Sequence, residues 1–161
     1  MASFDTAVAK TLIREGGARF TDNQDDRGGA TKYGISQRAY PNLDIASLTE
    51  DQAKAIYKRD YWDRVCGDLL KSQSVAENVF DTAVNMGPTT ATKLVQMILG
   101  VAIDGKFGPA TLDAANRSDE KAFLSDFTLA KVARYAAICN KDNSQSKFLL
   151  GWINRSLGGA A

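Results

Sequence analysis

Between Thr49 and Leu157 the apolar residues recur at three- and four-residue spacing, in successive runs separated by helix punctuation. Ala53, Ile56, Tyr57, Tyr61 and Val65 form one stripe. Thr49, with Gln52 three residues on, opens it as a capping box. Val75, Val79, Ala83 and Met86 form the next, which Gly87 stops. Pro88 then starts a helix carrying Leu94, Val95, Ile98 and Leu99, ending at Gly100. Pro109 starts a short helix to about Asn116. Ser118 caps a long one through Phe123, Phe127 and Ala130 to about Cys139, and "SQSKFLLGWINRSL" makes the last. Such a chain buries helical stripes against one another, so the expected class is mainly α.

The N-terminal part is different. Phe4, Val8 and Leu12 make an amphipathic face that Ser3 or Asp5 can cap and Gly16-Gly17 can end. Glu15, three residues past Leu12, extends that apolar face, and desolvation there raises the pKa expected of its carboxyl. "TDNQDDRGG" has turn chemistry, while "RFT" before it and "ATKYGIS" after it are β-capable. The simplest reading is a small, irregular β-hairpin with a long tip. Residues 36–46 read as a short helix interrupted by Pro41. No repeat or composition break divides the chain, so its 161 residues suit one domain.

Composition limits the chemistry. The chain has no histidine. Ser-His-Asp and Cys-His sites need an imidazole, and catalytic zinc sites normally need one too. Carboxylates, Lys, Tyr and Cys remain for proton transfer, and only four glutamates are present, Glu15, Glu50, Glu77 and Glu120. The net charge of +1 gives no basic footprint for nucleic acid. No apolar run approaches a membrane span, and the mixed charges of "MASFDTAVAKTLIREGG" do not resemble a signal peptide. Cys66 and Cys139 lie in no CxxC pair and read as small apolar residues.

Glycoside hydrolysis fits what is left. It needs a partly buried carboxylic acid at the leaving oxygen and, usually, a second carboxylate opposite. Glu15 has the first character, and Asp22, Asp25 and Asp26 are candidates for the second. Tyr33 and Trp62 offer aromatic faces for sugar rings, whereas Tyr61 and Trp152 read as core. Asn85, beside the helix end at Gly87, can hydrogen-bond a sugar amide or local backbone. Asp104 can satisfy the backbone of "DGKFGP". These signals are weak singly, since helix-end glutamates and acidic loops are common.

The motifs together resemble a known family. "EGG" at 15–17, an acidic loop, and "DRGGATKYGIS" at 26–36 are similar to the signature of glycoside hydrolase family 108 muramidases, lysozyme-like proteins of phage endolysins and secretion-linked bacterial hydrolases. "DTAVNMG" at 81–87 and "IDGKFGPAT" at 103–111 resemble their companion peptidoglycan-binding region. The resemblance implies one lysozyme-like domain, with a catalytic lobe with hairpin at 1–70 and a helical peptidoglycan-binding lobe at 71–161. It implies hydrolysis of the β-1,4 bond between N-acetylmuramic acid and N-acetylglucosamine. Glu15 matches the family's catalytic acid. Counting back from the Gly pair puts the second carboxylate on Asp26, counting forward from Glu15 puts it near Asp25, and Asp26 is favoured. Thr31 matches a threonine that helps hold a water. Tyr33, Trp62 and Asn85 are the expected substrate contacts.

No metal or cofactor is expected, and the expected partner is bacterial peptidoglycan, met by a monomer with no nucleic acid and no membrane insertion. The implied route is synthesis in a bacterial or host cytoplasm and action in the periplasm or wall after holin- or secretion-dependent release. Inversion is the expected outcome. The rival readings are a non-catalytic peptidoglycan-binding module and a chitinase- or chitosanase-like glycosidase.

Overall fold

The computed structural model describes residues 1–22 and 29–158. The class is mainly α, with seven α-helices and one two-stranded hairpin among the described residues. Helix α1 spans Phe4–Arg14. Ser3 caps it, its Oγ accepting from the Thr6 amide at 3.4 Å. At the other end the Gly16 amide donates to Ile13 O and the Gly17 amide to Leu12 O, the paired bonds of a Schellman stop. Both glycines have positive φ, as such a stop demands.

Strands β1 (Thr31–Lys32) and β2 (Ile35–Ser36) pair antiparallel, Thr31 opposite Ser36. Their two-residue turn is Tyr33-Gly34, with φ of 54° and 74°. Two left-handed residues match the twist of a tight hairpin. The expected long-tipped hairpin is thus corrected: the paired strands close at Tyr33-Gly34. "RFT" joins only through a bridge in which Thr21 and Thr31 exchange backbone bonds of 2.9 and 2.7 Å.

The helix expected over 36–46 does not form. Pro41 has no amide to donate, and the Gln37 side-chain amide instead reaches the carbonyls of Tyr40, Pro41 and Leu43. Helix α2 (Glu50–Tyr57) has the full Thr49/Gln52 capping box. It runs into a π-helical turn at Lys58–Trp62 and two 3-10 turns at Asp63–Val65 and Gly67–Leu69.

Helices α3 (Gln73–Met86) and α4 (Pro88–Leu99) meet at Gly87-Pro88. Helix α5 spans Pro109–Arg117. Helix α6 spans Glu120–Lys141, capped by Asp119 rather than Ser118, with Asp119 Oδ1 accepting from the Ala122 amide at 2.9 Å. A 3-10 segment at Asn143–Phe148 leads into α7, Leu149–Ser156. No helix among the described residues is long and apolar enough to cross a membrane.

The core joins these elements through aromatics. Trp62 stands edge-on to Phe4 and Phe80, at centroid distances of 5.6 and 5.5 Å. Helices α1 and α3 lie side by side in a fixed register. Gln73 hydrogen-bonds both backbone groups of Ser3, Lys10 pairs with Glu77, and Arg14 pairs with Asp81. The residue numbers rise together on both helices, so this ladder sets Glu15 beside the middle of α3.

The "DGKFGP" turn is held to α4 by Gln96, which is 1% exposed. Its amide nitrogen bonds Asp104 Oδ1, Lys106 O and Thr111 Oγ1, and its oxygen accepts from the Gly105 amide. Asp104 also accepts from the Lys106 amide, which is the backbone role expected of it. Cys66 and Cys139 are free thiols, and burial pushes the Cys66 thiol up.

Candidate active site

Glu15 is the C-cap of α1, and its side chain is 24% exposed. Three elements converge on it. The hairpin turn comes first: Gly34 packs so closely that an added Cβ would stand 2.8 Å from Glu15 Cβ and 2.7 Å from Tyr57 Oη. Only a glycine fits both that space and a φ of 74°. Helix α2 comes second: Tyr57 is buried, and its hydroxyl donates to Tyr33 O at 2.8 Å, tying the turn in place. Burial first, and then the charge of Glu15, push the Tyr57 phenol up, so that it remains a neutral donor.

Helix α7 is the third. Arg155 Nη2 donates to Glu15 Oε1 at 3.1 Å. The same nitrogen donates to Asp81 Oδ1 at 3.0 Å, and Arg155 Nε donates to Asp81 Oδ2 at 3.2 Å. Arg14 adds a bond to Asp81 Oδ1 at 2.9 Å. Burial alone would lower the pKa of Arg155, but the hydrogen bonds and charge of Asp81, and then Glu15, hold it above its ordinary value. The result is two carboxylates and two guanidiniums, each only partly open to solvent.

The remaining expected site residues divide. Asp26, and Asp25 with it, lie outside the described residues. Asp22 is exposed. Thr31 is half-buried on β1, its hydroxyl donating to Gly29 O at 3.2 Å.

Trp62 is corrected: it is 0% exposed, wedged between Phe4 and Phe80, with its indole N–H donating to Asp68 Oδ1 at 2.8 Å. No face is free for a sugar. Tyr33 is also a core residue, 8% exposed, placed there by the left-handed turn. Asn85 is exposed one turn beyond Asp81, and its amide donates to the Tyr135 hydroxyl at 2.5 Å. It borders a shallow pocket with Arg134, Tyr135 and Trp152. Trp152 is half-buried and stacked on Tyr135 at 4.9 Å.

Sequence reasoning missed Arg155, Asp81 and Tyr57 as neighbours of Glu15. Asp81 and Asn85 stand four apart on one helix face, a spacing that could have pointed to Asp81. Nothing in the local pattern links Arg155 to a residue 140 positions away.

Comparison with known proteins identifies the family. Residues 8–87 match the model of Glycosyl hydrolase 108, and residues 90–157 match that of the Predicted Peptidoglycan domain. The first match contains Glu15 and Asp81, and the second contains Arg155. The solved structure of Brucella abortus SagA is similar, with 27% identity and a TM-score of 0.72 over 96% of this chain and 94% of that one. No curated protein matches the chain. The chain therefore belongs to the glycosyl hydrolase 108 family and is a lysozyme-like glycoside hydrolase acting on peptidoglycan.

Proposed function

We propose that the protein is an N-acetylmuramidase of endolysin type in which Glu15 is the general acid. The observation that carries this reading is the position of Glu15. It ends α1 in the Glu-Gly-Gly stop, inside the family-matched segment, with the hairpin turn packed on its Cβ and its carboxyl held by Arg155. A carboxyl held in place, partly shielded and still accessible, suits proton delivery to a leaving oxygen.

In the proposed reaction Glu15 gives its proton to the glycosidic oxygen as the C–O bond breaks. A water adds to the oxocarbenium-like carbon and loses its proton to a second carboxylate. Asp26 is the proposed partner, with Thr31 helping to hold the water. A carboxyl separation of about 6.5–9.5 Å corresponds to inversion and one of about 5–5.5 Å to retention. Inversion is proposed. The substrate lies outside the cytoplasmic membrane, so action in the wall after holin- or secretion-dependent release, as a monomer, completes the proposal.

Purified peptidoglycan digested by the wild type and by Glu15→Gln tests it. Reducing muramic acid ends, without freed peptides, are expected from the wild type, and none from the folded variant. Comparable products from Glu15→Gln, or freed peptides with intact glycan, contradict it.

A further inference from the structure

The family-matched segments meet at the carboxyl of Glu15. Arg155 is the residue through which they meet, and it comes from the last helix, after the chain has passed through α4, α5 and α6. Its side chain makes no other hydrogen bond among the described residues than those to Glu15 and Asp81. A guanidinium is planar and its donors are fixed in direction, so a fork already locked on Asp81 fixes where Glu15 Oε1 sits.

We infer that Arg155 is a positioning residue for the hydrolysis: α7 delivers it to hold the Glu15 carboxyl, and Asp81 fixes the direction of its guanidinium. The inference rests on the reading of Glu15 as the acid. It makes the peptidoglycan-domain segment part of the catalytic machinery rather than only a wall-binding appendage.

Among the described residues, Lys10 and Glu77 line the same cavity as Arg14, Asp81 and Arg155. Arg14 on α1 shares Asp81 Oδ1 with Arg155. Tyr57 on α2 and Tyr61 in the following turn stand near enough for the charge of Glu15 to raise both phenols further, after burial. Lys131 and Tyr135 on α6 face the Asp81–Arg155 pair. None of these touches Glu15 with a hydrogen bond among the described residues; Arg155 does. Removing the Asp81 carboxylate therefore frees the fork that aims Arg155 at Glu15, and removing the cation frees the Glu15 carboxyl itself.

The test is the kinetics of peptidoglycan hydrolysis for the wild type, Asp81→Asn, Arg155→Met and Arg155→Lys, with folding checked by circular dichroism. For Arg155→Met kcat should fall about tenfold or more, with KM changed little. Arg155→Lys, which keeps the charge and loses the fork, should restore only part of kcat. For Asp81→Asn, which loosens the fork, kcat should fall by about threefold to tenfold, again with KM changed little. Should Arg155→Met fail to fold, the near-isosteric Asp81→Asn carries the test. Wild-type kcat in a folded Asp81→Asn or Arg155→Met, while Glu15→Gln is inactive, overturns this inference alone. An active Glu15→Gln overturns both it and the reading of Glu15.

Discussion

Gly34 and Glu15 are packed without room for a methyl group: a Cβ on Gly34 would stand 2.8 Å from Glu15 Cβ. The hairpin turn is therefore a direct support of the candidate acid. Gly34→Ala should displace the turn or the carboxyl, lowering activity by an order of magnitude or more. It should also destabilise by about 1–3 kcal/mol, because the new residue must keep a positive φ. Activity and thermal melting of the variant check this together; unchanged values for both would remove the hairpin from the site.

Trp62 supplies a test of the corrected binding role. Its ring fills the space between Phe4 and Phe80, and its N–H is bonded to Asp68. Trp62→Phe should cost about 1–3 kcal/mol through lost packing and the lost bond, with KM unchanged. A raised KM with unchanged melting would return Trp62 to the substrate.

Gln96 is the polar pin of the "DGKFGP" turn, with four bonds from a side chain 1% exposed. Gln96→Leu leaves the Gly105 amide and the Asp104 carboxylate without this partner. A loss of about 2–3 kcal/mol in denaturant unfolding is expected, without a change in the pH profile of hydrolysis.

Lys131 is 4% exposed on α6, with hydrogen bonds of 3.4 Å to Asn78 Oδ1 and Ser156 O. Burial lowers its pKa, and Arg14 and Arg155 add to this against the opposing charge of Asp81. The unfolded chain thus binds the Lys131 proton more tightly than the folded one. This contribution to stability is complete above the ordinary lysine pKa and is lost as pH falls through the folded value. The Lys131 contribution should rise from neutrality toward about pH 9.5, while the raised Cys66 thiol opposes it near its ordinary value, so Lys131→Met is the reference. Lys131→Met should be more stable at neutral pH by about 1 kcal/mol and show a smaller rise. Denaturant unfolding at both pH values measures the difference.

Much of the fold could be read from the chain because helix punctuation is local. The Thr49/Gln52 box, the Gly87-Pro88 break and the Gly16-Gly17 stop act within one turn of themselves. The hairpin was legible as existing, but its turn was misplaced. Tyr33 takes a left-handed conformation that tertiary packing enforces, through the bond from Tyr57 and the fit of Gly34 on Glu15. Over 36–46 the Gln37 side chain overrides the apparent helical pattern. At the site, Glu15 could be singled out as the candidate acid because the Glu-Gly-Gly stop matches a family motif; its place on the apolar face is a weak signal alone. Arg155 could not, because the contact spans nearly the whole chain. The burial of Trp62 follows from packing with Phe4 and Phe80, which periodicity alone does not resolve.

The central claim is that Glu15 donates the proton that breaks the glycan. Mass spectrometry of peptidoglycan digested by wild-type protein and by folded Glu15→Gln tests it most directly. Muropeptides with reducing muramic acid ends are expected from the wild type, and an activity loss of several orders of magnitude in the variant. Equal yields of those muropeptides from Glu15→Gln would contradict it.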